Sequence, residues 1–208
     1  GSSSSHFKVS LSNSFQYCQG DECSNNFDVL PDTDNQYSET LPFDAWPTNM
    51  HELNISGCGS VTKLVGLPNT LEELNVSYTS IGNLNDLGIS DESNITKLNI
   101  SNTRTYLDLD AESTSISITG ADLNGFTSLE ELLIERHNAY GPKVEFTPSS
   151  LPTSLKILQL NGQHLDILPI LPENLEELYL AGNKLLDLPK IPNTLKILTL
   201  GEYISGFG

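Results

Sequence analysis

Leucine and isoleucine recur along this chain at three positions of a short repeating frame. Residues 151–200 can be written as three aligned lines, LPTSLKILQLNGQHLDILPI, LPENLEELYLAGNKLLDLPK and IPNTLKILTL. Each line opens with an apolar residue and proline: Leu151-Pro152, Leu171-Pro172 and Ile191-Pro192. The apolar positions that follow, Leu155/Leu158/Leu160, Leu175/Leu178/Leu180 and Leu195/Leu198/Leu200, stand 20 residues apart from line to line. An L-x-x-L-x-L pattern at this period is the signature of a leucine-rich repeat. Within each x-L-x-L-x the leucines face one side of a strand and the intervening residues the other. Each unit therefore predicts one short strand, and stacked units predict a parallel sheet.

The return path between strands is predicted from proline. DILPILPEN carries Pro169 and Pro172, and proline inside a helix lacks the donor and clashes with the preceding turn. The return must be extended or polyproline-like, with at most a brief 3₁₀ turn. The predicted fold is a leucine-rich-repeat solenoid of the α/β-horseshoe class, mostly β. It has a curved parallel sheet on the concave face, thin convex returns and little α-helix.

The same frame, with slips, runs back to the middle of the chain. Met50/Leu53/Ile55, Leu71/Leu74/Val76 and Ile95/Leu98/Ile100 fill the three core positions. A degenerate fourth unit keeps only Ile116 and Ile118, and a fifth supplies Leu129/Leu132/Ile134 before lengthening through Ala139–Phe146. About eight repeats are expected over residues 46–203, with a stub at 204–208. Residues 1–45 do not repeat. Gly1–Ser5 reads as a cloning remnant, and Phe7/Val9/Leu11 alternate as a strand would. A solenoid leaves its first core layer open, so residues 1–45 are assigned as the N-terminal cap. Trp46, the single tryptophan, is expected to plug that end.

Buried backbone groups in the turn after each strand call for a polar side chain at the ninth repeat position. Asn183 suits it best; Cys58, Thr79, Thr103, Gln163, His137 and Tyr203 are substitutes, and Ala121 cannot serve. His137 is therefore read as structural.

The binding surface is predicted from the positions between the core leucines. Asn75, Lys97 and Asn99 belong to a polar Asn/Ser ladder in the N-terminal half. Leu133, Ile157, Gln159, Tyr179 and Ile197, with Glu131, Glu135, Arg136 and Glu177 around them, make an apolar and aromatic patch ringed by charge in the C-terminal half. That is the composition of a protein-binding surface, and open concave sheets are where solenoids bind.

Composition narrows the partners. Ten Lys and Arg against 27 Asp and Glu give a formal charge of −17, which argues against nucleic acid and anionic membrane as partners, since both need a basic face. A protein ligand with a basic surface fits better. No apolar run is long enough to span a membrane, and a monomer is expected. The four histidines are scattered, the Asp86/Asp91/Glu92 and Asp108/Asp110 acids lack the spacing of a calcium loop, and no catalytic signature or phosphate loop occurs. No cofactor, no metal and no enzyme activity are expected. Four Asn-x-Ser/Thr matches, at Asn54, Asn75, Asn94 and Asn99, are mostly by-products of the repeated L-N-[IV]-S motif.

The units at 151–200 resemble the 20-residue repeats of bacterial secreted leucine-rich-repeat effectors, the class containing YopM and the IpaH-type ubiquitin ligases. The resemblance covers 151–200 well, 47–103 approximately and the rest poorly. It implies a protein secreted and translocated into a host cell, where the horseshoe binds a host protein. In the ligase branch a further C-terminal domain carries a catalytic cysteine; none of Cys18, Cys23 and Cys58 lies after the repeats, so no catalytic residue carries over. The N-terminal segment is strand-like where the family has a helical hairpin. The L-N-I-S-x-T units look more like surface leucine-rich repeats, which keeps a cell-surface adhesin as the alternative. Analogy with capped extracellular repeat proteins would bridge Cys18 to Cys23; three reduced thiols is the other reading.

Overall fold

The computed structural model describes residues 7–10, 17–19, 22–24, 29–30, 46–58, 61–79, 81, 83–89, 93–101, 115–118, 123, 125–136, 143–146 and 151–202. In chain order the strands are β1 (Phe7–Ser10), β2 (Tyr17–Gln19), β3 (Glu22–Ser24), β4 (Val29–Leu30), β5 (Met50–Asn54), β6 (Lys63–Leu64) and β7 (Glu73–Asn75). They continue with β8 (Lys97–Asn99), β9 (Ser115–Ile118), β10 (Glu131–Leu133), β11 (Lys143–Phe146), β12 (Ile157–Gln159), β13 (Glu177–Tyr179) and β14 (Ile197–Thr199). Eight of them form one sheet, ordered β1-β5-β7-β8-β10-β12-β13-β14, and every neighbouring pair is parallel. This is the leucine-rich-repeat solenoid that the leucine frame predicts.

Three stacked apolar layers fill it. Leu71, Ile95, Leu129, Leu155 and Leu175 form the first, Leu53, Leu74, Leu98, Leu132, Leu158 and Leu178 the second, and Ile55, Val76, Ile100, Ile134, Leu160 and Leu180 the third, all buried. Most units are restarted by a turn in which the first-layer residue donates its N–H to a carbonyl three residues back, whereas Ile95 donates to Ser93 Oγ at 3.1 Å. Pro47, Pro68, Pro152, Pro172 and Pro192 supply that carbonyl, at 3.1–3.2 Å. The proline fixes the extended entry, and the turn then aims the first leucine inward. At the open end of the array Leu198 and Leu200 are 39% and 51% exposed, because no further layer covers them among the described residues.

The returns at 161–172 and 181–192 hold no helical residue, as their prolines require. Elsewhere among the described residues, Leu84–Leu87 is a short 3₁₀ segment capped by Asn83 and ended by Gly88, and Leu123 is α-helical. Gly88 has φ +66°, and a Cβ there would meet the Leu64 carbonyl oxygen at 2.5 Å, so the close approach of two successive returns admits only glycine. Two further parallel pairs lie outside the main sheet, β4 with β6 and β9 with β11.

The degenerate fourth unit, β9, stays out of the main sheet, and β8 pairs directly with β10. Registry explains it. Ile95/Leu98/Ile100 and Leu129/Leu132/Ile134 match in all three layers, whereas the fourth unit offers only Ile116 and Ile118. β9, which carries Ser115 and Ser117, is therefore not a strand of the concave sheet, and Thr119 lies outside the described residues. The sheet gains its eighth strand from the N-terminal segment instead. β1 pairs with β5, Val9 opposite Leu53, and Val9 is buried. Trp46 is buried as well, its Nε1 donating to the Val65 carbonyl at 2.9 Å.

Candidate functional site

Parallel register converts the sequence frame into rows across the concave face. One row runs Glu52, Glu73, Lys97, Glu131, Ile157, Glu177, Ile197. The next runs Asn54, Asn75, Asn99, Leu133, Gln159, Tyr179, Thr199. Eleven of the twelve sequence-nominated residues lie in these rows or, for Glu135, just beyond strand β10. Arg136 does not: it sits one step further, at the turn position that Gly57, Tyr78, Gly162 and Gly182 take in other units.

The apolar members make a different pattern from a contiguous patch. Leu133, Ile157, Tyr179 and Ile197 alternate between the two rows, with Glu131, Gln159, Glu177 and Thr199 on the opposite squares. Diagonal neighbours in a sheet lie about 7–8 Å apart, so each apolar side chain is bordered by polar ones. Three of the four are half-buried, and Ile197 is 40% exposed. The face is an apolar–polar checkerboard, and its apolar squares are less open than strand alternation suggests.

The N-terminal half of the face is largely spent on itself. Asn54, Asn75 and Asn99 each accept, through Oδ1, the N–H of the serine two residues on, all at 3.0 Å. Ser56 and Ser77 share a hydroxyl hydrogen bond at 2.7 Å, and Ser101 Oγ accepts from the Glu135 N–H at 2.9 Å. Ser77 and Ser101 are buried. The Asn/Ser ladder terminates strands by local side-chain–backbone bonding, so its serines are structural.

Acidic groups dominate what remains. Lys8 pairs with Glu52 and Lys97 with Glu131, the latter at 3.2 Å, while Glu73 is exposed between them. Glu135 accepts from Asn161 Nδ2 at 2.7 Å. The Tyr179 hydroxyl donates to Glu177 Oε2 at 2.7 Å. That hydrogen bond, reinforced by partial desolvation and the carboxylate charge, raises the Tyr179 phenol above its ordinary range. Because the folded value is raised, the contribution is complete below the ordinary tyrosine range and is lost as pH climbs through the raised one. In an NMR titration of ring-labelled protein, Tyr179 is expected to ionise after an unstructured tyrosine, and Glu177→Gln to bring it most of the way back. Ionisation at or before the ordinary range would remove this bond from the solution structure.

Two ladders sit just outside the face. Ahead of the strands, Lys156 bonds Glu130 at 2.9 Å and Lys196 bonds Glu176 at 2.6 Å, with the Lys156 ammonium shifted up and the Glu176 carboxyl shifted down by these bonds. Both pairs are solvent-exposed and contribute little. After the strands, Thr79, Gln163 and Asn183 fill the ninth repeat position. Gln163 Nε2 reaches the Ile134 carbonyl at 2.7 Å, and Asn183 Nδ2 reaches the Leu160 and Leu180 carbonyls at 2.9 Å each. Thr79 Oγ1 bonds the Val76 carbonyl at 2.7 Å. Cys58 takes the same place half-buried, with burial pushing its thiol pKa up. Thr103, Ala121, His137 and Tyr203 lie outside the described residues.

A further ladder went unread in the sequence. The residue before the first-layer leucine is Thr70, Asn94, Ser154, Asn174 or Thr194, and each donates to a backbone carbonyl of the preceding unit. Its signal was visible in four of the five, where serine, threonine or asparagine stands two residues after proline; Asn94 has Glu92 in place of the proline. Asn94, one of the glycosylation-pattern matches, is committed to the Asn69 carbonyl at 2.7 Å.

Among the described residues no group of three or more His, Cys, Asp or Glu is placed to hold a metal ion, and no helix is long and apolar enough to cross a membrane. A second apolar surface lies on the last two returns, where Ile167, Ile170 and Leu186 are 79%, 70% and 85% exposed.

No protein-family model matches the sequence, and no curated protein matches it either. Among solved structures, YopM from Yersinia enterocolitica WA-314 is similar at 20% identity and a TM-score of 0.31, with 75% of this chain and 38% of that chain covered. The chain thus spans well under half the length of that protein.

Proposed function

We propose that this chain is a non-enzymatic protein-interaction module whose concave face grips a protein ligand with a basic surface. The observation that carries the reading is the checkerboard on β10–β14, where Leu133, Ile157, Tyr179 and Ile197 alternate with Glu131, Gln159 and Glu177 on an open sheet. Aromatic and aliphatic anchors of this kind supply binding energy, and the interspersed carboxylates select a cationic partner and speed its encounter. The setting we propose is a bacterial effector, or its repeat domain, acting inside a host cell; the L-P-x units at 151–200 support it. A surface adhesin and the substrate-recognition region of a longer ubiquitin ligase use the same face and differ in what surrounds it.

The test is capture of partners from host-cell lysate, followed by affinity measurement with each purified partner. The native chain is compared with a Tyr179→Ala/Ile157→Asp/Glu177→Lys variant and an Ile167→Glu variant on the returns, each checked for an unchanged melting temperature. The concave variant is expected to bind at least about tenfold more weakly, about 1.4 kcal/mol, and Ile167→Glu to bind normally. The opposite result would move the site to the convex returns. A partner whose affinity does not fall with added salt would contradict the charge argument.

A further inference from the structure

We infer that Cys18 and Cys23 form a reversible intramolecular disulfide that closes the β2–β3 hairpin. The inference rests on backbone register alone and is independent of the concave face. β2 and β3 pair antiparallel with Tyr17 opposite Ser24, Cys18 opposite Cys23 and Gln19 opposite Glu22. The sequence leaves only Gly20 and Asp21 between the strands, a glycine-first dipeptide of the kind that two-residue hairpins use. Directly opposed residues of an antiparallel pair have Cα atoms about 4.5 or 5.5 Å apart, depending on whether the pair is hydrogen-bonded. Both spacings fall within the roughly 4.4–6.8 Å that a disulfide spans. No change of strand pairing is needed to form the bond, whereas a slip of one residue would separate the two cysteines along the hairpin.

Cys58 is the competitor for either partner. It is half-buried behind β5, and its raised pKa leaves less thiolate to attack a disulfide. The register therefore favours the local pair and burial disfavours the alternative.

With a low-molecular-weight disulfide such as oxidised glutathione as oxidant, the step balances. One cysteine thiolate attacks the glutathione disulfide, whose sulfur–sulfur bond breaks to release one glutathione thiolate and leave a mixed disulfide on the protein. The second cysteine thiolate attacks the protein sulfur, forming the Cys18–Cys23 bond and releasing the other glutathione. Two protein thiols are oxidised, one glutathione disulfide is reduced, and the two cysteine protons pass to the glutathione thiolates. The closed loop is short, so the chain-entropy gain is small compared with that of a long loop. The bond holds the register of a hairpin lying between β1, an edge strand of the main sheet, and β4, which pairs with β6.

The test uses the whole chain equilibrated across a series of reduced-to-oxidised glutathione ratios, quenched by alkylation and digested without reduction. Trypsin cannot separate the cysteines, because no Lys or Arg lies between Lys8 and Lys63; cleavage at Asp21 or Glu22 does. The expected result is two fragments joined through Cys18 and Cys23 above a defined ratio, with Cys58 alkylated throughout. Cys23→Ser is expected to stop at the intermediate and retain glutathione on Cys18, which the native chain does not. Full alkylation of all three thiols at the most oxidising ratio, or joined fragments that contain Cys58, would overturn the inference.

Discussion

Truncating Leu132 to alanine is expected to cost about 2–5 kcal/mol of stability, the range for a fully buried leucine whose neighbours cannot collapse onto the gap. Leu132 is fully buried in the second layer, opposite Leu98 on one side and Leu158 on the other. It also occupies a junction where the array skips a unit, since β8 meets β10 directly. Repeat proteins are held together by nearest-neighbour interfaces, so a weak point here separates the N-terminal from the C-terminal units. Urea unfolding of the variant is expected to show an earlier midpoint and a broader or two-step transition. Leu198→Ala supplies the contrast. The same leucine position on β14 is 39% exposed, so its loss is expected to cost less than about 1.5 kcal/mol. Equal losses at the two sites would mean that the open end is covered in solution. A Leu132→Ala loss below about 1 kcal/mol would contradict the direct β8–β10 packing.

The sequence was most legible where three constraints coincided in one frame. Leu155/Leu158/Leu160 and their equivalents specify a layer each, the preceding proline specifies the entry turn, and the fixed spacing specifies the register. Where a unit held only two apolar residues, as at Ile116 and Ile118, periodicity alone misplaced it. The competition between β9 and β10 for β8 is decided by matching all three layers across a gap of 34 residues. A local reading of the fourth unit cannot weigh that alternative. The N-terminal strand was visible as alternation at Phe7 and Val9, but its partner β5 lies some 40 residues on, and no local signal names it.

The face was legible as positions but less so as surface. Strand alternation correctly brought Asn75, Asn99, Leu133, Gln159 and Tyr179 into one row and Lys97, Glu131, Ile157, Glu177 and Ile197 into another. It could not show that Asn Oδ1 atoms would be consumed by serine N–H groups, because those bonds form in the turn after the strand, which alternation does not describe. Arg136 lies outside the two rows because it follows the strand at the point where the chain turns away from the sheet.

The second large effect is expected at Asn183, and it separates hydrogen bonding from packing. Nδ2 donates to the Leu160 and Leu180 carbonyls at 2.9 Å each, and Oδ1 accepts the Leu165 N–H at 2.9 Å. One side chain thus satisfies three backbone groups in two units. Asn183→Ala removes all three bonds and is expected to cost about 2–3 kcal/mol, the scale for polar groups left without partners. Asn183→Asp preserves shape and the bond from Leu165, yet points carboxylate oxygen at two carbonyl oxygens. It is expected to be at least as destabilising as alanine at neutral pH, although the side chain is nearly isosteric. Facing carbonyls raise the folded-state pKa of such an aspartate above its unfolded value, so the folded state binds the proton more tightly and stability rises as pH falls through that range. Protonation also restores one donor for one of the two carbonyls. Thermal unfolding of both variants from neutral to mildly acidic pH distinguishes the cases. The aspartate variant should regain stability on acidification relative to the alanine variant. If Asn183→Asp behaves like the native chain at neutral pH, the asparagine is a space-filler, and the link between units rests on the leucine layers alone.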